Sequence, residues 1–281
     1  MKRFDEVLHL GYSQSFEVTR VLFHEQTEHQ DLIIFETPTF GRVMALDNIV
    51  QVTTKDEFVY HEMMSHVPIL AHGNVSDVLI IGGGDGGILR EVLRHGSVQN
   101  ATMVEIDRSV VDLCQQHLPE IAAGAFEDPR ADLIIADGVQ FVAETDRRFD
   151  VIIVDSTDPL GPGEVLFTES FYAACHRCLT KGGVLVTQSG VPFFQGTELV
   201  NTYQRMGKSF TDNGFYTAVV PTYNGGFMTL GWGSDDSSLR SVPLETLQER
   251  FRALNLKTHY YSPEMHQAAF ALPPFIRDQL R

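Results

Sequence analysis

Across residues 15–54 apolar and polar side chains alternate in short runs: Phe16-Glu17-Val18-Thr19-Arg20-Val21-Leu22-Phe23, Asp31-Leu32-Ile33-Ile34-Phe35-Glu36, Arg42-Val43-Met44-Ala45-Leu46 and Ile49-Val50-Gln51-Val52-Thr53. A period of two predicts strands with one face buried, and Asp47-Asn48 between the last two runs predicts a hairpin turn. So small an antiparallel unit has few residues with which to bury both faces. It is expected to pack on the rest of the chain or on another subunit. From Lys55 to His72 the period changes. Phe58, Met63, Val67 and Leu70 recur at helical spacing with no glycine, and Pro68 is a candidate kink or break.

From Asp77 onward the chain alternates between strand and helix patterns. Candidate strands cover 77–82, 101–106, 132–136, 149–154, 183–188, 215–222 and 227–233, with helical stretches between the first six. This alternation predicts a parallel, doubly wound sheet. The short link Tyr223-Asn224-Gly225-Gly226 predicts a hairpin, which turns the last strand antiparallel to its neighbour. The expected fold is α/β, a Rossmann-like, methyltransferase-type sheet of seven mostly parallel strands with an antiparallel hairpin at its end. A small N-terminal antiparallel β-domain over 1–54 precedes this catalytic domain over 55–281.

Composition narrows the partners. The formal charge of −16 over 281 residues argues against nucleic acid, whose phosphates require a basic face, and favours cationic small molecules. No run of about 18 apolar residues is present to span a membrane. The N-terminus lacks the apolar stretch of a signal peptide, and three cysteines, an odd number, fit a reducing compartment. The expected location is the cytoplasm.

The strand 77–82 runs into Gly82-Gly83-Gly84-Asp85-Gly86-Gly87, a glycine turn opening a helix. Its spacing fits G-x-G-x-x-G, which in dinucleotide enzymes cradles a pyrophosphate with backbone N–H groups. Asp85 would set a negative charge against that anion, so the loop suits a cation such as a sulfonium nucleoside carrying a protonated amine. Acids also end the next strands: Glu105 followed by Asp107, then Asp137-Gly138, then Asp155-Ser156-Thr157-Asp158-Pro159. A carboxylate after the second strand accepts both ribose hydroxyls, a role for Glu105. Asp137 can accept from an adenine amino group, with Gly138 allowing close backbone approach. Taken singly, each acid could simply cap the next helix. Asp85, Asp155 and Asp158 remain in one cleft, where unpaired carboxylates repel, and a diamine or polyamine would relieve that repulsion.

These motifs, together with Phe40-Gly41-Arg42-Val43-Met44-Ala45-Leu46-Asp47 and the 155–162 stretch, resemble those of spermidine synthase, of the polyamine aminopropyltransferase family. The similarity runs from about Tyr12 to the Ala268–Pro273 segment. It implies transfer of a 3-aminopropyl group from decarboxylated S-adenosylmethionine, a co-substrate rather than a cofactor, to putrescine, giving spermidine and methylthioadenosine. By position, the resemblance implies that Gln30, Glu105, Asp137, Gly138 and Pro162 hold the methylthioadenosine part. His61 and Asp85 would lie around the aminopropyl group and amine, with Asp155 as proton acceptor and Asp158 on the diamine. Tyr60, Gln188 and Tyr223 would line the diamine tunnel. A homodimer or homotetramer is expected, with no metal, no cofactor, no nucleic acid and no membrane.

The sulfonium activates the donor carbon, so the protein must supply an aligned, neutral amine. Ordinary values of about 10 for an alkylammonium and about 4 for an aspartate leave proton transfer uphill by about 6 units, or ~8 kcal/mol. Burial of Asp155 is expected to narrow that gap. Gly161-Pro162-Gly163-Glu164 reads as part of a lid or as a plain turn before a helix at Thr168. Cys175-His176-Arg177-Cys178 lies inside an expected helix and is read as structural. His61-Glu62 with His66 is one residue too long for a zinc-binding H-E-x-x-H. A methyltransferase and an NAD-dependent oxidoreductase on the same fold are the alternatives.

Overall fold

The computed structural model describes residues 2–157 and 161–281, the side chain of Pro162 excepted. Strands β1 (Arg3–His9) and β2 (Tyr12–Glu17) pair as an antiparallel ribbon. Strands β3 (Arg20–Gln26), β4 (Asp31–Thr37), β5 (Gly41–Leu46) and β6 (Ile49–Thr53) follow as an antiparallel sheet in sequence order. The single strand expected over 16–23 is therefore two, broken at Val18-Thr19, where the chain passes from ribbon to sheet. Asp47 and Asn48 both adopt positive φ, 48° and 63°, as a tight hairpin turn requires.

Alternation along β4 divides this sheet into two faces. Leu32 and Ile34, with Met44 and Val52, pack on Val110, Cys114, Leu118 and Ile121 of the following domain. Ile33 and Phe35, with Val43 and Ala45, are covered by Phe4 and Phe16 of the ribbon. Both faces thus find cover within one chain. Packing on the rest of the chain is as expected for one face, and the other is covered by the ribbon, whose first strand the sequence pattern did not reveal.

Helix α1 (Glu57–His72) continues through Pro68 instead of breaking there, and ends at Gly73, whose left-handed backbone (φ 80°) directs its N–H to the Ile69 carbonyl at 2.9 Å. The main sheet comprises β7 (Asp77–Gly82), β8 (Asn100–Glu105), β9 (Ala131–Ile135), β10 (Phe149–Asp155), β11 (Leu179–Gln188), β12 (Asp212–Ala218) and β13 (Met228–Ser234). Its spatial order is β12-β13-β11-β10-β7-β8-β9, and β13 runs antiparallel to both neighbours. The last hairpin is as expected in direction, but its link is longer. Strand β12 ends at Ala218 rather than at 222, and residues 219–227 leave the sheet, carrying Tyr223 with them.

Helices α2 (Gly87–Leu93), α3 (Arg108–His117), α4 (Pro119–Ala122), α5 (Gly138–Glu144), α6 (Glu169–Cys178) and α7 (Gly196–Met206) connect these strands, and α8 (Leu244–Leu254), α9 (Pro263–Ala269) and α10 (Pro274–Arg277) close the chain. One core joins α1, α2 and the C-terminal segment to one face of the sheet through Met63, Val67, Ile80, Ile153 and Trp232. A second lies on the other face, around Leu79, Ile152, Phe171 and Tyr172. Among the described residues, no helix is long and apolar enough to cross a membrane.

Candidate active site

From β7 the chain proceeds to β8 and β9 on one side and returns to β10 and β11 on the other. The carboxyl ends of β7 and β10 therefore flank the topological switch point, where ligands of open α/β sheets bind. Asp155, the last residue of β10, stands in register with Gly82. Gly82 has φ 83°, and a Cβ on it would lie 2.0 Å from the Asp155 carbonyl oxygen; one on Gly83 would lie 3.1 Å from Asp155 Oδ2. The first two glycines are thus required by the close approach of the loop to Asp155. Asp85, only 8% exposed, accepts a hydrogen bond from the Gly87 N–H (2.7 Å), and its other oxygen faces His61 Nε2 at 3.4 Å. The glycine loop presents a carboxylate to the cleft.

Five ionisable groups meet here: Tyr60, His61, Asp85, Glu105 and Asp155. The Tyr60 hydroxyl donates to Asp155 Oδ1 at 2.7 Å. Burial, and then the nearby Asp85 charge, push the Asp155 carboxyl up to about 6, against the opposing pull of His61 and Tyr60. His61 is 2% exposed. Burial alone would lower it, but Asp85 on one nitrogen and Glu57 on the other outweigh that effect and raise it to about 10. Burial also raises Glu105 to about 7, although its carboxylate accepts from the Asp107 N–H at 2.9 Å. Tyr60, raised by burial and by Asp155, stays a neutral donor.

A cavity of about 470 Å³ opens over this group, a volume suited to a nucleoside with a short chain. Gln30, Tyr60, His61, Asp85, Glu105, Asp137, Gly138, Asp155, Gln188 and Tyr223 all line it, so every expected site residue within the described set converges on one space. Gln30 comes from the turn between β3 and β4 and donates to Asp107 at 3.1 Å. Asp137 caps α5 through Oδ1, accepting from Val139 at 2.7 Å and Gln140 at 3.3 Å, so capping and cavity wall coexist in one side chain. Gly138 has an internal reason as well, since a Cβ would lie 2.4 Å from Ile81. Tyr60 and Tyr223 meet edge to face, with centroids 6.1 Å apart. Asp158 and the Pro162 side chain lie outside the described residues.

The stretch read as part of a lid or as a plain turn before α6 lies in a 3-10 helix, Gly161–Phe167, and its Gly163, Val165 and Leu166 also face the cavity. Cys175 and Cys178 are buried free thiols in α6. His66 turns away from His61 and bonds His95 at 2.9 Å. Sequence reasoning missed a second tier. Glu57 holds His61, and Asp56 accepts from the Thr222 N–H at 2.8 Å, fixing the loop whose Tyr223 hydroxyl donates to the Gln51 carbonyl. The spacing of Glu57 and His61, four apart on α1, was a usable signal. The contacts of Asp56 and Gln51 bridge more than 160 residues and left no local one.

A methyltransferase-like sheet, with carboxylates at its strand ends and a buried carboxylate in the glycine loop, defines the site of a transferase. The comparisons agree. The spermine/spermidine synthase domain matches residues 57–243, and the spermidine synthase tetramerisation domain matches 4–54. A polyamine aminopropyltransferase of Escherichia fergusonii is 56% identical over 279 residues, covering 99% of this chain and 97% of that protein. Another, from Pseudomonas syringae pv. tomato, is 56% identical over 276 residues, with 98% and 96% covered. Among solved structures, a spermidine synthase in complex with the transition-state analogue AdoDATO superposes with a TM-score of 0.93 at 39% identity, covering 99% of this chain and 94% of that one. Spermidine synthase from Thermotoga maritima gives 0.92 at 38%, with the same coverage. The chain belongs to the spermine/spermidine synthase family, and its enzyme class is aminopropyltransferase. The methyltransferase and oxidoreductase alternatives give way to this membership.

Proposed function

We propose that this enzyme transfers the 3-aminopropyl group of decarboxylated S-adenosylmethionine to putrescine, forming spermidine, methylthioadenosine and a proton. The observation that carries the reading is the pair of carboxylates, buried Asp85 and half-buried Asp155, in a cavity that Glu105 also lines. The nucleoside's ribose hydroxyls donate to Glu105, and Asp137 and Gln30 border the same part of the molecule. Asp85 pairs with the aminopropyl ammonium and would repel the carboxylate of S-adenosylmethionine itself. Tyr60 and Tyr223 give the acceptor's methylenes an aromatic wall beside Asp155. The neutral amine attacks the methylene carbon next to sulfur, the C–S bond breaks with its electrons passing to sulfur, and the amine proton leaves to Asp155. Asp158 and Pro162 keep the roles that family resemblance gives them, on the diamine and on the nucleoside.

The enzyme works in the cytoplasm and assembles as a homo-oligomer. The tetramerisation-domain match over 4–54 and the outward-facing Val7, 70% exposed, on the ribbon support assembly; light scattering of the full chain reads it directly, and a monomer at micromolar concentration would remove it. Mass spectrometry of a matrix of both donors against putrescine, cadaverine, agmatine and spermidine tests the reaction. Spermidine and methylthioadenosine are expected from the decarboxylated donor with putrescine. Methyl transfer, or equal turnover of both donors, overturns the reading.

A further inference from the structure

Both ring nitrogens of the buried His61 face carboxylates. Nδ1 lies 2.6 Å from Glu57 Oε2, and Nε2 lies 3.4 Å from Asp85 Oδ2. A neutral imidazole carries one N–H, so one of these carboxylates would then face a lone pair in a site with little water. The imidazolium satisfies both. Glu57 is itself fixed by a fork of Arg90, whose two terminal nitrogens lie 3.2 Å from Oε1 and 2.8 Å from Oε2. Arg90 is held in turn by Glu91 at 2.8 Å and by the Ile121 carbonyl at 2.5 Å. The ring fills the space beside Gly87, where a Cβ would lie 2.1 Å from Nδ1, so position 87 must be glycine for His61 to sit here.

Signs alternate along this row: Asp85 negative, His61 positive, Glu57 negative, Arg90 positive, Glu91 negative. The groups around His61 come from each element packed on it: Glu57 and Tyr60 from α1, Asp85 from the glycine loop, Arg90 behind Glu57 from α2, and Asp155 from β10. We propose that Glu57, clamped by Arg90, is a positioning residue that fixes His61 as an imidazolium between Glu57 and Asp85, and that this cation allows Asp85 and Asp155 to stay ionised together in the cleft. The inference deepens the reading of Asp155 as proton acceptor and rests on it. Neither Glu57 nor Arg90 needs to touch substrate. Their effect reaches the reaction through His61, whose charge opposes the push of burial and Asp85 on the Asp155 carboxyl.

The test is NMR of the full-length enzyme labelled with ring-15N histidine, the His61 signal being assigned by its loss in His61→Asn, together with pH profiles of kcat. In the unmodified enzyme His61 should stay doubly protonated through neutral pH. In Glu57→Gln its proton affinity should fall at least about tenfold, one pH unit of midpoint. The acid limb of kcat should move to higher pH, and kcat at pH 7 should fall more than donor KM changes. Glu57→Asp should restore part of the midpoint. If Glu57→Gln does not fold, Arg90→Lys, which keeps the charge but loses the fork, should shift the midpoint the same way by less. A His61 that titrates near its ordinary value in the unmodified enzyme, or with the same midpoint in these variants, overturns the proposal. The spectra decide this without turnover, whereas loss of the proposed reaction in the unmodified enzyme would strike only the functional reading.

Discussion

Replacing Asp155 with Asn removes a carboxylate while keeping its shape and an oxygen for the Tyr60 hydroxyl. In the folded enzyme burial and Asp85 raise Asp155 from 3.8 to about 6. The gap to an alkylammonium near 10 thus shrinks from about 6 units to about 4, or from ~8 to ~5.5 kcal/mol. That difference of about 2 units, ~3 kcal/mol, is the share of the proton-transfer problem solved by placing the acid at the end of β10. The kcat of Asp155→Asn should therefore fall by about 10²–10⁴-fold, the usual size of general-base catalysis.

The pH profile adds a second constraint. For the unmodified enzyme, kcat/KM for putrescine should drop about tenfold per unit below roughly pH 6, as Asp155 takes up its proton, and the variant should lack that limb. Toward pH 10 more amine arrives neutral, so the defect should shrink. The same shift has a stability consequence of known sign. A folded value above the unfolded one means the associated stability is present below about pH 3.8 and is lost as pH rises through about 6. At pH 7 the ionised Asp155 is a burden on the fold, and Asp155→Asn should melt higher than the unmodified enzyme. Steady-state assays from pH 5 to 10, with thermal melts at pH 7, supply both readings. A variant that keeps the limb near pH 6, or loses less than tenfold in kcat, would refute the assignment of Asp155 as base.

Two further predictions follow from single side chains. Asp85→Asn should weaken use of the decarboxylated donor by about 1.5–3 kcal/mol, the scale of a charged hydrogen bond, and narrow its preference over S-adenosylmethionine; kcat/KM for the two donors checks this, and an unchanged ratio counts against it. Glu62 is buried and accepts three backbone N–H groups, from His259 at 2.8 Å, Tyr260 at 2.9 Å and Tyr261 at 2.7 Å, tying the C-terminal segment to α1. Glu62→Gln should lose roughly 3 kcal/mol in urea unfolding, since the amide turns an N–H toward N–H donors; a loss under about 1 kcal/mol would mean the loop is held otherwise.

The sheet and its rim of acids were legible because both are local. Each apolar run ends where its own next residues turn, so Gly82–Asp85, Glu105, Asp137 and Asp155 carry their places at strand ends in the sequence. Strand β1 escaped notice because its inward positions are Phe4 and Glu6, and a buried carboxylate, here accepting from the Val50 N–H at 2.7 Å, breaks the apolar alternation that marks a strand. Strand β12 stops short of its apolar pattern for a related reason. Its pattern suits a strand to residue 222, yet Asp56 and Gln51 capture Thr222 and Tyr223 from far away.

The acids at the cleft, Asp85, Glu105, Asp137 and Asp155, could be placed from the order of residues along the chain. Their protonation state could not, because it follows from the fold. An aspartate at a strand end is ordinary until burial and a second carboxylate raise it. A histidine is a switch near neutrality until Glu57 and Asp85 close on both its nitrogens. Protonation depends on contacts such as His61 with Asp85 at 3.4 Å and Tyr60 with Asp155 at 2.7 Å, between groups far apart in the chain, and on how much water the fold leaves them, and neither quantity exists before the chain has folded.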